Sequence, residues 1–362
     1  MKTYPVSAGR TALAVTATGG HLDGVRFDLA GRGAVAPMHT APWYDEEMPA
    51  GTPPMLRLLR GDFFCAPFGA NDVAPGDGPP HGHAASGDWR LVKSGNGFVE
   101  LELATPIMGA RLTKRVEARA GETAVYQRHV FTGGAGRLPV GHHAMLRAEG
   151  TLRLGFAPRI FAGTPPEPVE VAPAGHSILA YPQEITDLAH AERADGGVIN
   201  LTTYPVDDGH EDLWMLASDP GPGFAWTAAT STDGGWVWFG LKNPRVLPET
   251  VVWQSNGGRS YPPFSSRHRR VIGLEEVCSY FHLGHAASTD DNPLATRGIP
   301  TAITLAPEGE AAIPYVFGVA ATPAGFDAVV RIEEEDGGIL LLDRNGREAF
   351  AALDVSFVTN PG

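Results

Sequence analysis

Three groups of side chains in this chain are suited to proton chemistry. His81 and His83 stand in Pro79-Pro80-His81-Gly82-His83-Ala84-Ala85-Ser86-Gly87-Asp88-Trp89. His142 and His143 are adjacent, and Glu275 and Glu276 lie inside the apolar run Val271-Ile272-Gly273-Leu274-Glu275-Glu276-Val277. Imidazole exchanges protons near neutral pH. A carboxylate in an apolar run costs free energy unless it is paired, and desolvation raises its pKa toward the range of a general base. On an alternating strand one of the two glutamates faces a pocket and the other faces solvent. The prolines before His81 fix the backbone, and Gly82 allows a turn or a close approach. An ordinary surface loop carrying two histidines is the competing explanation of that stretch.

A metal site is a further reading of the same residues. On a strand, His81 and His83 at i and i+2 share a face, and His142, Glu275 or His282 could complete a set of N and O ligands for a lyase or isomerase. His282 and His285, in Phe281-His282-Leu283-Gly284-His285, read as structural or surface residues.

The elements that must position these groups read as strands. Phe98–Leu103 alternates, with Val99, Leu101 and Leu103 on one face and Glu100 and Glu102 on the other. Arg111–Arg119 alternates too, with Lys114 interrupting the apolar side, and Val125–Phe131 follows after a short turn. Three strands in succession predict an antiparallel meander. Further strands are expected at 152–161, 198–203, 213–217, 223–228, 236–241, 251–253, 270–280, 302–305, 312–319, 328–332, 339–342 and 349–353. Asn345-Gly346 is a two-residue hairpin turn. Glu184–Arg193 is the one expected helix, with Ile185, Leu188 and Ala189 on a face. The 45 glycines and 31 prolines suit many strands joined by many turns. No linker or repeat divides the chain, which predicts an all-β fold, a large antiparallel β-sandwich formed by residues 1–362 as one domain.

Bulk properties narrow the partners. A formal net charge of −13 argues against nucleic acid and anionic membrane surfaces, although a local arginine cluster could still hold a small anion. Two cysteines, Cys65 and Cys278, are too few for a disulfide framework and fit a reducing compartment. The N-terminal residues lack the apolar run of a signal peptide, and no stretch has the length of a membrane span, so the expectation is a cytoplasmic protein.

The order of the motifs adds a resemblance. Arg60-Gly61-Asp62-Phe63-Phe64-Cys65-Ala66-Pro67-Phe68-Gly69, followed by His81-Gly82-His83-Ala84-Ala85 and Trp89, resembles the glycine-rich run, Pro-x-Phe-Gly and His-Gly-Phe-Ala-Arg of the galactose mutarotase (aldose 1-epimerase) superfamily. His142-His143-Ala144-Met145-Leu146-Arg147-Ala148-Glu149-Gly150 resembles its Asn-His-x-Tyr-Phe-Asn-Leu-x-Gly. Gly273-Leu274-Glu275 is similar to the segment of its catalytic glutamate, and Leu305-Ala306-Pro307-Glu308-Gly309-Glu310 with Tyr315 and Phe317 to its late Leu-x-Pro-Gly-Glu strand. The resemblance implies a β-supersandwich and a carbohydrate substrate converted between anomers without cofactor or metal. It implies His143 as the acid at the ring oxygen, His81 near that oxygen, and Glu275 as the base at the anomeric hydroxyl. Asp212 would be the family's hydroxyl-binding aspartate; Trp89 or Trp253 could pack on the sugar or in the core.

The departures bear on the substrate. Ala85 stands where the family has arginine, Asn71-Asp72 where the mutarotases carry an Asn-Arg-Ile segment, and His142 where the family has asparagine. Arg267-His268-Arg269-Arg270 could supply a replacement cationic patch through Arg270, or be a solvated charged run. A sugar-binding protein without turnover on the same fold, or the metal-dependent isomerase or lyase above, are the alternatives.

Overall fold

The computed structural model describes residues 1–70, 72 and 78–360; Asn71 lies outside them. Two antiparallel sheets make the sandwich. The larger has nine strands, in the order Thr203–Tyr204, Leu152–Phe156, Ala225–Ser231, Trp236–Lys242, Glu310–Ala321, Ala124–Gly133, Ala110–Glu117, Phe98–Leu103 and Trp89–Gly95. The expected meander is the run Ala124–Gly133, Ala110–Glu117 and Phe98–Leu103, with Trp89–Gly95 added at the edge. The smaller has seven strands, with Arg159–Gly163, His210–Ser218, Glu249–Asn256, Val271–Cys278, Val140–His142 and Phe64–Cys65 in order, and Ala144–Arg147 also paired to Val271–Cys278.

Strand alternation sorts the side chains of the smaller sheet into two sets. Trp214, Leu216, Val252, Ile272, Leu274 and Cys278 join Leu101, Phe131, Tyr315 and Phe317 of the larger sheet in the inter-sheet core. Each such fully buried Leu, Ile or Phe contributes about 1.5–3 kcal/mol relative to exposure. Their neighbours one position away, Leu213, Met215, Val251, Trp253, Val271 and Val277, face outward. That outer face is covered by loops and the short helix Pro54–Leu58, which bring Trp43, Met55, Phe63, Phe68, Phe264 and Phe281 over it. The back of the larger sheet is closed by the hairpin strands Val329–Glu335, Gly338–Asp343 and Glu348–Ala352, through Ile332, Ile339, Leu341 and Ala351. The N-terminal strands Thr3–Ala8, Thr11–Thr16, Leu22–Leu29 and Gly33–Val35 form a four-stranded sheet that adds Val6, Val15 and Phe27 to the inter-sheet core.

Two expectations are corrected. Residues 184–193 contain no helix: Glu184 bridges Gly163 at a sheet edge, the Ile185 N–H donates to the Ala162 carbonyl at 2.7 Å, and Ala191–Glu192 pairs with Val198–Ile199. Ile185 and Leu188 still reach the core, but their backbone bonds go sideways rather than to the next turn. The segment Leu152–Phe161 is two strands, Leu152–Phe156 and Arg159–Gly163, which serve different sheets. Among the described residues no helix is long and apolar enough to cross a membrane.

Candidate active site

The site lies on the outer face of the seven-stranded sheet. Glu275 follows from the alternation of Val271–Cys278: residues 271, 273, 275 and 277 face outward, and 272, 274, 276 and 278 face the inter-sheet core. Gly273 makes room for it. A Cβ there would lie 2.4 Å from Glu275 Oε1 and 3.1 Å from Trp253 Cβ. Gly273→Ala is therefore expected to push the carboxylate aside, a displacement that costs about 10²-fold in any proton transfer through it; circular dichroism and Tm check that the sheet persists.

His143 sits in the short break between strands Val140–His142 and Ala144–Arg147. Its Nε2 is 3.3 Å from Glu275 Oε1, and its ring stacks on Phe63 at 4.5 Å. Asp62 anchors the segment. One of its oxygens accepts the backbone N–H of His143 at 2.9 Å; the other is 3.1 Å from His142 Nδ1 and accepts from Gln127 Nε2. His142 thus points the other way, into the inter-sheet core, where it packs with Phe64, His129 and Tyr315.

His81 reaches the same cavity from the loop. Its backbone takes φ 62°, its N–H donates to the Gly69 carbonyl at 2.8 Å, and Gly82 presses so closely on strand Phe64–Cys65 that a Cβ would meet the Ala66 carbonyl at 1.9 Å. The His81 and His143 ring centroids are 5.2 Å apart. Cys65 Sγ at 3.2 Å and the Gly69 N–H at 3.4 Å both approach His81 Nδ1. Burial raises the Cys65 pKa, so its sulfur is a thiol, and both neighbours act as donors. That assigns the proton of His81 to Nε2, making it a donor toward the cavity.

His81, His143, Glu275, Trp253, Arg259, His282 and Phe264 line an inner chamber of about 100 Å³. It opens onto an outer chamber of about 600 Å³ that shares His81, Arg259, Phe264, Met55 and Leu56 with it. Burial dominates the electrostatics. It raises the Glu275 pKa well above the ordinary carboxylate value, with the Asp62 charge adding to the effect. It lowers His143 well below 6.5, brings His81 down to about 3 and His282 to about 4. Glu275 and His143 therefore hold one proton between them across neutral pH, and Glu275 Oε1 makes no hydrogen bond of good geometry to the described residues.

The remaining candidates fall elsewhere. Trp253 lines the chamber, its Nε1–H donating to Glu211 at 2.6 Å. Trp89 is core: its Nε1–H donates to the Ala84 carbonyl at 2.9 Å. Asp212 faces away from the chamber and accepts from the Ile178 and Leu179 N–H groups and the Tyr181 hydroxyl. Arg270 ties down a turn by donating to the carbonyls of Ala148 and Gly150. His83 does not line the chamber, and its backbone carbonyl accepts from Gly87 at 2.7 Å. His81 and His83 lie in a turn rather than a strand, so they do not share a face, and among the described residues no group of three or more His, Cys, Asp and Glu is placed to hold a metal. Glu276 does not reach solvent. It points into the inter-sheet core, 2.5 Å from Lys242 Nζ, and accepts from Thr227 and Thr250.

Two polar lining residues were not expected at a sugar site, His282 being a candidate there only as a metal ligand. Arg259 stands in Gly257-Gly258-Arg259-Ser260-Tyr261-Pro262-Pro263-Phe264, where a lone arginine in a glycine-, proline- and aromatic-rich connection was the available signal. His282, expected to be structural or on the surface, lines the chamber because the chain turns back after the Glu275 strand, with φ 51° at Phe281.

The fold has solved counterparts. A candidate aldose 1-epimerase from Escherichia coli K12 matches at 15% identity with a TM-score of 0.59, over 88% of this chain and 99% of that one. A galactose mutarotase related enzyme from Lactobacillus acidophilus matches at 11% identity with a TM-score of 0.55, over 88% and 97%. A galactose mutarotase-like protein from Lactobacillus casei matches at 12% identity with a TM-score of 0.55, over 88% and 100%. No family model and no curated protein matches the sequence.

Proposed function

We propose that this chain, which has the galactose mutarotase-like β-sandwich fold, is a cytoplasmic enzyme of the aldose 1-epimerase type acting on a small carbohydrate, with residues 1–362 working as one domain. The observation that carries the reading is the 3.3 Å approach of His143 Nε2 to Glu275 Oε1 in the inner chamber, with His81 beside them. The free, buried thiols of Cys65 and Cys278 suit a reducing compartment.

Opening a cyclic hemiacetal requires loss of the O1 proton and gain of one at the ring oxygen as the C1–O5 bond breaks. The proton that rests on Glu275 first crosses the 3.3 Å contact to His143; Glu275 as carboxylate then takes the first, and His143 as imidazolium gives the second. The Nε2–H of His81 donates to a sugar oxygen alongside. Rotation about C1–C2 and reversal of both transfers give the other anomer. Ring opening leaves Glu275 as acid and His143 as neutral imidazole, so an ion pair becomes two neutral groups. A dry chamber favours that change, because it penalises the charged forms.

The test is exchange NMR between anomer signals over a panel of reducing sugars. Faster exchange with wild type, lost in His143→Ala, is the expected result. Sugar binding by calorimetry with no acceleration of any sugar would leave a carbohydrate-binding protein instead.

A further inference from the structure

The inner chamber is too small to be the whole site, and its shape limits what can enter. A sugar whose C1 and ring oxygen meet Glu275 and His143 turns the opposite edge of its ring, C3 and C4, toward the mouth. Met55, Leu56, His81, Arg259 and Phe264 bound that mouth and line both chambers. Anything attached at O3 or O4 must therefore pass into the outer chamber of about 600 Å³, a volume in the range of small-ligand sites. Its wall carries Tyr261, more than one-third exposed, together with Pro262 and Pro263.

The charges oppose an anionic substituent. Arg259 is the one Arg or Lys among the described residues lining either chamber. Its Nε is already 2.7 Å from Glu170 and 3.4 Å from Glu211, and its guanidinium lies over the Phe264 ring at 4.7 Å. Glu170 also accepts the Tyr261 hydroxyl at 2.7 Å, which holds that ring in place on the wall. A phosphate entering here would meet a guanidinium whose charge two carboxylates already oppose.

We infer that the substrate is a neutral saccharide of at least two rings, the anomeric edge of its reducing ring in the inner chamber and the next ring, joined through O3 or O4, against Tyr261 in the outer one. This rests on the anomer-exchange reading above and adds the substrate class. An aromatic ring offers an apolar face to the CH face of a sugar, and a contact of that kind changes affinity about threefold to tenfold.

Exchange NMR on the full chain tests it, with glucose and galactose against 4-linked cellobiose and lactose, 3-linked laminaribiose, 6-linked isomaltose and glucose 6-phosphate. The 3- and 4-linked disaccharides are expected to show a KM about threefold to tenfold below that of their parent monosaccharides, with glucose 6-phosphate the poorest substrate. Tyr261→Ala is expected to remove the disaccharide advantage, and Tyr261→Phe, which keeps the ring, to retain it. Monosaccharides handled as well as disaccharides, a preference for the phosphate, or an advantage that survives Tyr261→Ala would each overturn this inference alone. No acceleration of any sugar would overturn it together with the proposed function.

Discussion

Glu275→Gln is expected to reduce anomer exchange by about 10²–10⁴-fold in kcat while leaving KM near its wild-type value. Glutamine matches glutamate in shape, so Gly273 and Trp253 still accommodate it, but it cannot take the O1 proton. The pH profile carries a second readout. The Glu275–His143 pair works while it holds one proton. The acid limb appears when His143 gains a second, and burial has moved that event well below the ordinary imidazole range. The alkaline limb appears when the pair loses its proton, and burial has moved that event well above the ordinary carboxylate range. Wild type should therefore show a broad plateau across neutral pH, and the residual activity of Glu275→Gln should lose that plateau, falling as pH rises through the lowered pKa of His143. A variant with wild-type kcat would end the assignment of Glu275 as base.

The same substitution is expected to stabilise the fold at neutral pH. Because the folded pKa of Glu275 is raised, the unfolded chain releases this proton near pH 4.3 while the folded chain keeps it. Between those two pKa values the unfolded state binds fewer protons, so stability declines by about 1.4 kcal/mol per pH unit for this one group. Glutamine has no proton to lose and escapes the decline. Denaturant midpoints for wild type and Glu275→Gln should converge near pH 4 and separate toward pH 8, with the variant higher. On the proposed function, that lost stability is the cost of holding a buried carboxyl beside the anomeric hydroxyl.

The sequence made the sheets legible where apolar and polar residues alternate. Val99, Leu101 and Leu103 lie buried on one face of Phe98–Leu103, as their spacing implies. Alternation failed where both faces of a strand are buried. Every residue of His210–Ser218 and of Val271–Cys278 is buried, so periodicity says that Glu275 and Glu276 face opposite ways but not which way is out. Glu276, expected to meet solvent, instead meets Lys242, a partner from another strand. Lys114, read as an interruption of an apolar face, is buried on that face with its Nζ donating to the Gly20 carbonyl at 2.6 Å. The cavity wall was legible only in part, because Arg259 and His282 stand on connections whose paths depend on contacts distant in sequence. Asp212 and Glu211 show the limit most directly. They are adjacent, and the side of the sheet decided which one approaches the chamber.

Asp62 is the positioning residue behind this site, and its loss is expected to have the second-largest effect. It is buried and ionised, its pKa held below the ordinary value by His142, Lys114 and Gln127 against the opposing effect of burial. Asp62→Ala would leave the His143 N–H, His142 Nδ1 and Gln127 Nε2 without their acceptor and Lys114 without its nearby anion. Breaking a buried network of this kind costs about 3–5 kcal/mol, so that variant reports on stability first. Asp62→Asn is the gentler probe, since it retains an acceptor for the His143 N–H. Lys114, already lowered to about 8, is expected to fall further in it. Between the variant's lower Lys114 pKa and about 8 its folded state binds fewer protons than wild type, so the deficit of Asp62→Asn should narrow as pH rises toward 8 and stay constant above it. For turnover, kcat should fall more than KM changes, and the alkaline limb should move to lower pH. The Asp62 charge is one of the causes of the raised Glu275 pKa, so removing it lets Glu275 lose its proton earlier. A role limited to packing would lower Tm and leave that limb where it was.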